Sequence, residues 1–96
     1  MREQDYQRKI VKHLESLGAY VVKVVAASKK GVPDILACYK GKFIAIEVKT
    51  PTTRKNTTKL QDYNLNKVRQ AAGYAMVAVD IEDLECILNE IDYEGQ

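Results

Sequence analysis

"GVPDILACYKGKFIAIEVKT", Gly31 to Thr50, puts three ionisable side chains among residues that a small fold needs for its core. Two β-type runs, Ile35 to Tyr39 and Phe43 to Lys49, flank a short turn around Lys40 and Gly41, the pattern of a β-hairpin. With a two-residue turn Tyr39 faces Lys42, and counting outward sets Asp34 opposite Glu47; a four-residue loop gives the same register. Side chains alternate across a strand, so Ile44, Ile46 and Val48 share one face while Phe43, Ala45, Glu47 and Lys49 share the other. The first face reads as core and the second as a site. Facing residues have Cβ atoms roughly 4.5 to 5.5 Å apart, and two carboxylates at that distance are destabilising unless something positive lies between them. Mg²⁺, a hard ion that takes oxygen ligands, meets that need. Lys49 brings an ammonium to the same region, where it can orient a water or stabilise charge developing on a phosphate. Alone, an E-x-K triplet is far more often a solvated strand edge than a site. Here it coincides with Pro33-Asp34 before a strand, with a register that opposes the two acids, and with an otherwise apolar strand.

The rest of the chain can be read outward from this hairpin. Tyr6, Ile10, Val11, Leu14 and Leu17 recur at helical spacing between Glu3 and Leu17, and Gly18 is a stop signal. The valine-rich run Ala19 to Ala27 reads as a strand. After the hairpin, Thr50 to Lys59 is a polar loop without periodicity, long for a compact domain. Leu60, Leu65, Val68, Ala71 and Ala72 mark a second helix ending at Gly73, and Tyr74 to Val79 forms a further strand. Asp80 with Asp83 resembles the acidic start of a last helix through "LECILNEI". The order αβββαβα predicts an α/β fold with a mixed sheet flanked by helices.

Ninety-six residues suffice for one domain, 1–96, and not for two separate cores. Apolar residues at 46% and charged ones at 29% are ordinary for a soluble domain, and no stretch approaches the roughly 20 apolar residues of a membrane span. The polar start "MREQDYQRK" lacks a signal-peptide core, so an intracellular location is expected. Cys38, Cys86 and the lone His13 have no metal-ligand spacing, and the two cysteines are expected to be buried free thiols. A net charge of +2 says little about a nucleic-acid partner by itself. Its distribution says more: Lys29, Lys30, Arg54, Lys55 and Lys59 lie on the two loops flanking the hairpin, as candidate DNA-phosphate contacts. Loop charges are more often plain solvated surface. The scattered tyrosines form no stacking platform for bases.

Polar residues also interrupt both helical stripes. Glu3 and Gln7 share a face with Ile10, Leu14 and Leu17, and a wet helix end explains Glu3 as readily as a site does. Gln61 lies on the second stripe, where a capped or solvated early-helix residue remains an alternative to a buried amide needing partners.

The "PD…EVK" of Asp34, Glu47 and Lys49 resembles the PD-(D/E)xK nuclease signature, and the chain from Glu3 to about Val79 resembles the stand-alone VRR-NUC branch of that superfamily. The resemblance implies a restriction-endonuclease-like core. It also implies Mg²⁺ or Mn²⁺ on Asp34, Glu47 and the Val48 backbone carbonyl, with Lys49 assisting the water that attacks a phosphodiester. Glu3 matches the family's glutamate near the start of the first helix, which points at the metal site directly or through water. Gln61 matches a glutamine that lines the site. The expected protein is a metal-dependent endodeoxyribonuclease acting on branched DNA, such as a Holliday junction, as a homodimer like the junction resolvases it resembles. Two alternatives stay open: a non-catalytic DNA-binding subunit that keeps the fold, and a nuclease of linear duplex DNA or RNA.

Overall fold

The computed structural model describes residues 1–95. Its elements follow the expected order: α1 (Glu3–Ser16), β1 (Tyr20–Lys23), β2 (Ile35–Tyr39), β3 (Lys42–Val48), α2 (Lys59–Gln70), β4 (Tyr74–Ala78) and α3 (Ile81–Glu94). The chain is α/β, with a four-stranded mixed sheet ordered β1-β2-β3-β4. The first three strands pair antiparallel, and β4 lies parallel to β3. Parallel neighbours cannot be joined by a tight turn, and here α2 makes the crossover.

A two-residue turn sets the register of β2 on β3. Lys40 and Gly41 both have positive φ, 50° and 79°, as a type I′ turn requires. Asp92 of α3 holds that turn from outside, accepting from Tyr39 Oη at 2.8 Å and Lys40 Nζ at 2.6 Å. Tyr39 accordingly faces Lys42 and Ile35 faces Ile46, so Asp34 and Glu47 are the next opposed pair.

Helices pack on both faces of the sheet. Ile35, Ala37, Ile44, Ile46 and Val48 pack against Ile10 and Leu14 of α1 and Leu84, Leu88 and Ile91 of α3. On the other face Ala45 and Ala75 pack under Leu65 of α2, with Leu36, Val68 and Val77 at the margin. Small residues in the sheet let α2 lie close, and Gly31 adds to this. A Cβ there would stand 2.7 Å from Leu60 Cγ, and its φ of 76° suits glycine.

Three expectations are corrected. The first strand spans only Tyr20–Lys23, because its partner β2 begins at Ile35 and pairs with Lys23; beyond it Val25 is 89% exposed. Cys38 and Cys86 are exposed free thiols. Cys38 lies on the part of the sheet that α2 does not reach, and Cys86 falls off the Leu84–Leu88–Ile91 stripe of α3. Leu17 and Leu60 are also exposed. Leu17 caps α1, where Gly18 turns the chain at φ 87°, and Leu60 lies in the first turn of α2. Among the described residues, no helix is long and apolar enough to cross a membrane.

Candidate active site

The hairpin, the first turn of α1 and the first turn of α2 converge at one end of the sheet. Glu3, Asp34 and Glu47 each bring a carboxylate oxygen within 4.8 Å of the others. Asp34 sits one residue before β2, where Val24 N–H donates to its carbonyl at 2.8 Å. Its carboxylate is fixed by the hairpin itself, because Oδ2 accepts from Val48 N–H at 2.8 Å. Val48 is wholly buried between Glu47 and Lys49. Pairing of β3 with β4 continues one step past the strand, with Lys49 N–H donating to the Ala78 carbonyl at 2.9 Å.

Glu47 is 3% exposed and carries the main electrostatic strain. Burial, then the adjacent Asp34 carboxyl, push it up from 4.5 to about 8, with Glu3 adding to the push and Lys49 opposing it. A carboxyl so raised lies where positive charge would be favourable. Three oxygen-bearing acids at this spacing suit a hard divalent cation, which neutralises their repulsion and takes oxygen ligands.

Lys49 stands 3.9 Å from Glu47 Oε2 through its Nζ. Gln61 holds the two together: its Nε2 donates to Glu47 Oε2 at 3.3 Å, and its Oε1 accepts from Lys49 Nζ at 3.3 Å. The same Oε1 accepts from Thr58 N–H at 2.9 Å, while Thr58 Oγ1 accepts from Gln61 N–H at 3.1 Å. This is the capping box of α2. Gln61 therefore satisfies both sequence readings at once, as an early-helix capping residue and as a side chain against the acids. Sequence reasoning passed over Thr58, although Thr58-x-x-Gln61 is a readable capping-box pattern that would have fixed the start of α2.

The five loop cations differ in their partners. Arg54 is engaged by Asp83, Nη1 to Oδ1 at 3.1 Å, which ties the loop after β3 to the start of α3. Lys29, Lys30, Lys55 and Lys59 are exposed, and no ion pair of theirs is found among the described residues. Asn64 Nδ2 donates to the Lys30 carbonyl at 3.1 Å, anchoring that segment to α2.

The family described as "Archaeal holliday junction resolvase (hjc)" matches residues 1–92. A relative with a nuclease name, p44 of Acyrthosiphon pisum secondary endosymbiont phage 1, is 27% identical over 93 residues, 96% of this chain and 97% of its own. Among solved structures, a VRR_NUC domain superposes with a TM-score of 0.71 at 22% identity, over 91% of this chain and 94% of that one. The Hjc Holliday junction resolvase of Archaeoglobus fulgidus superposes with a TM-score of 0.61 at 23% identity, over 80% of this chain and 67% of that one. The fold is thus restriction-endonuclease-like, as the hairpin signature implied. With the match running from the first residue into α3, the chain belongs to the archaeal Holliday junction resolvase family, and it shares the fold of the VRR_NUC domain.

Proposed function

We propose that the chain is a divalent-metal-dependent endonuclease that cuts branched DNA of the Holliday-junction kind as a homodimer. The observation that carries this reading is the meeting of Glu3, Asp34 and Glu47 within 4.8 Å beside a lysine ammonium held by Gln61. Asp34 and Glu47, with the Val48 carbonyl and with Glu3 directly or through water, would hold Mg²⁺ or Mn²⁺. When bound, the ion supplies a Lewis acid to a phosphoryl oxygen and offsets the charge that grows in the transition state.

The chain's own residues do the rest. Val48 N–H and the hairpin register lock the Asp34 carboxylate, so little reorganisation is needed at the moment of reaction. The Lys49 ammonium, largely withdrawn from bulk water, orients the attacking water and favours negative charge on the phosphate, more strongly than an exposed lysine would. Gln61 keeps Lys49 aligned with Glu47, and the Thr58 cap keeps Gln61 aligned with both. Lys29, Lys30, Lys55 and Lys59 would contact DNA phosphates, and Arg54 would join them only by leaving Asp83.

A homodimer is supported by the part of the sheet that α2 leaves bare, where Tyr20, Val22 and Phe43 are exposed. An apolar face of that kind marks an association surface, and symmetric cutting of a four-way junction needs two sites. The reading is tested by offering linear, flapped and four-way DNA, with matched RNA, to the protein in Mg²⁺. Preferential cutting of the four-way junction is expected. Retention of DNA with no cleavage of any substrate in either Mg²⁺ or Mn²⁺ would instead establish a binding subunit.

A further inference from the structure

Gln7 lies one helical turn after Glu3, on the stripe that continues through Ile10 and Leu14. It is 7% exposed, and its Oε1 is a fully buried acceptor with no hydrogen-bond partner among the described residues. Such atoms are rare in folded proteins, because burying a polar group without a partner gives up its bond to water and receives nothing in return. A helix interior offers many ways to avoid this cost: leucine or methionine at position 7 would simply extend the apolar stripe.

The direction of the side chain indicates what the oxygen is for. Helical side chains lean toward the N-terminus of their own helix, so Gln7 leans back toward Glu3. Glu3 is the residue whose carboxylate reaches Asp34 and Glu47. Helix geometry therefore sets the buried amide on the α1 face that carries Glu3 to the acidic cluster, while Gln61 meets Glu47 from α2. A hydrated cation in that cluster presents water O–H groups in several directions, and a neutral acceptor can hold one of them without adding a fourth negative charge.

We propose that Gln7 is a positioning residue that accepts a hydrogen bond from a water of the hydrated divalent cation; the inference rests on the metal-dependent reading above. Gln7 touches that water and not the phosphodiester.

The test pairs Mn²⁺ titration calorimetry with thermal unfolding in EDTA, on the wild-type chain and on two variants. Gln7→Met removes the acceptor and keeps the bulk. It is expected to unfold in EDTA no lower than wild type and to bind Mn²⁺ roughly two- to tenfold more weakly, the loss of one ordinary hydrogen bond. Gln7→Glu keeps an acceptor in place and is expected to bind Mn²⁺ at least as tightly as wild type. Equal Mn²⁺ affinity in wild type and Gln7→Met, or equal weakening in both variants, would overturn the inference and assign Gln7 a structural role. If wild type itself binds no Mn²⁺, the metal reading fails, and the role of Gln7 fails with it.

Discussion

Replacing Glu47 by glutamine should make the metal-free protein more stable while destroying its ability to be stabilised by metal. Glu47 is buried beside Asp34, and its carboxyl is raised from 4.5 to about 8. A carboxyl raised in this way binds more protons in the folded state than in the unfolded chain throughout that interval. Its favourable contribution is therefore complete below pH 4.5 and declines as pH climbs to about 8. At pH 7 the decline amounts to about 3 kcal/mol, a ceiling that structural relaxation and water entry reduce. In a domain of this size a change of that order moves the unfolding midpoint by on the order of 10 to 15 °C. The neutral amide of Glu47→Gln has the shape of the protonated acid and can still meet Gln61, so most of this loss should be absent. The assay is thermal unfolding in EDTA from pH 5 to pH 8.5, wild type against Glu47→Gln, with all other titrating groups common to both. The gap between the two midpoints should widen steadily with pH in favour of the variant. Excess Mn²⁺ at pH 8 should raise the wild-type midpoint and leave that of the variant nearly unmoved. A wild-type midpoint that tracks the variant across the whole pH range would refute the claim that burial and Asp34 load this carboxyl.

Further outcomes follow from other contacts. Asp83 accepts from the N–H groups of Val79 and Asp80 and from Arg54. Although burial opposes its charged form, these donors hold its carboxyl below the usual 3.8. Its stabilising contribution is present above pH 3.8 and disappears as pH falls further; Asp83→Ala should cost about 1 to 2 kcal/mol at pH 7 in denaturant unfolding, with the difference shrinking in acid. In DNA-binding titrations against salt, Lys55→Ala should reduce the logarithmic slope by about 1 for a single phosphate contact, and Arg54→Ala should change it less because Asp83 already engages that guanidinium. Phe43→Glu on the bare part of the sheet should convert the expected dimer to a monomer in sedimentation, with the far-UV circular dichroism retained. A wild-type protein already monomeric at high concentration would remove the dimer from the account.

What the sequence made legible was local. The Lys40-Gly41 turn fixes its strand register through backbone conformation alone, so the opposition of Asp34 and Glu47 could be counted from the letters. Asp80 and Asp83 formed the capping box that their spacing suggested. What escaped was set by distant partners. Nothing in "FIAIEVK" says that α2 will lie over Ala45 and Glu47, because that depends on Leu65 and on the small residues of β4. Cys38 is exposed for the complementary reason, since α2 stops short of the β1–β2 part of the sheet. The valine run after Gly18 has strand propensity throughout, yet it pairs only as far as β2 extends. Gln61 could be placed near the acids only through the family resemblance, while its contacts with Glu47 and Lys49 come from the tertiary approach of α2.

The most direct measurement is single-turnover cleavage of a labelled four-way DNA junction in Mg²⁺ by wild type and Lys49→Ala, with junction binding by both measured in Ca²⁺. The account predicts that both proteins bind the junction and that Lys49→Ala cuts on the order of 10²- to 10³-fold more slowly, the scale of losing one preorganised charge at a developing oxyanion. Equal cleavage rates would contradict the assignment of Lys49 and the hairpin's acids as the nuclease centre.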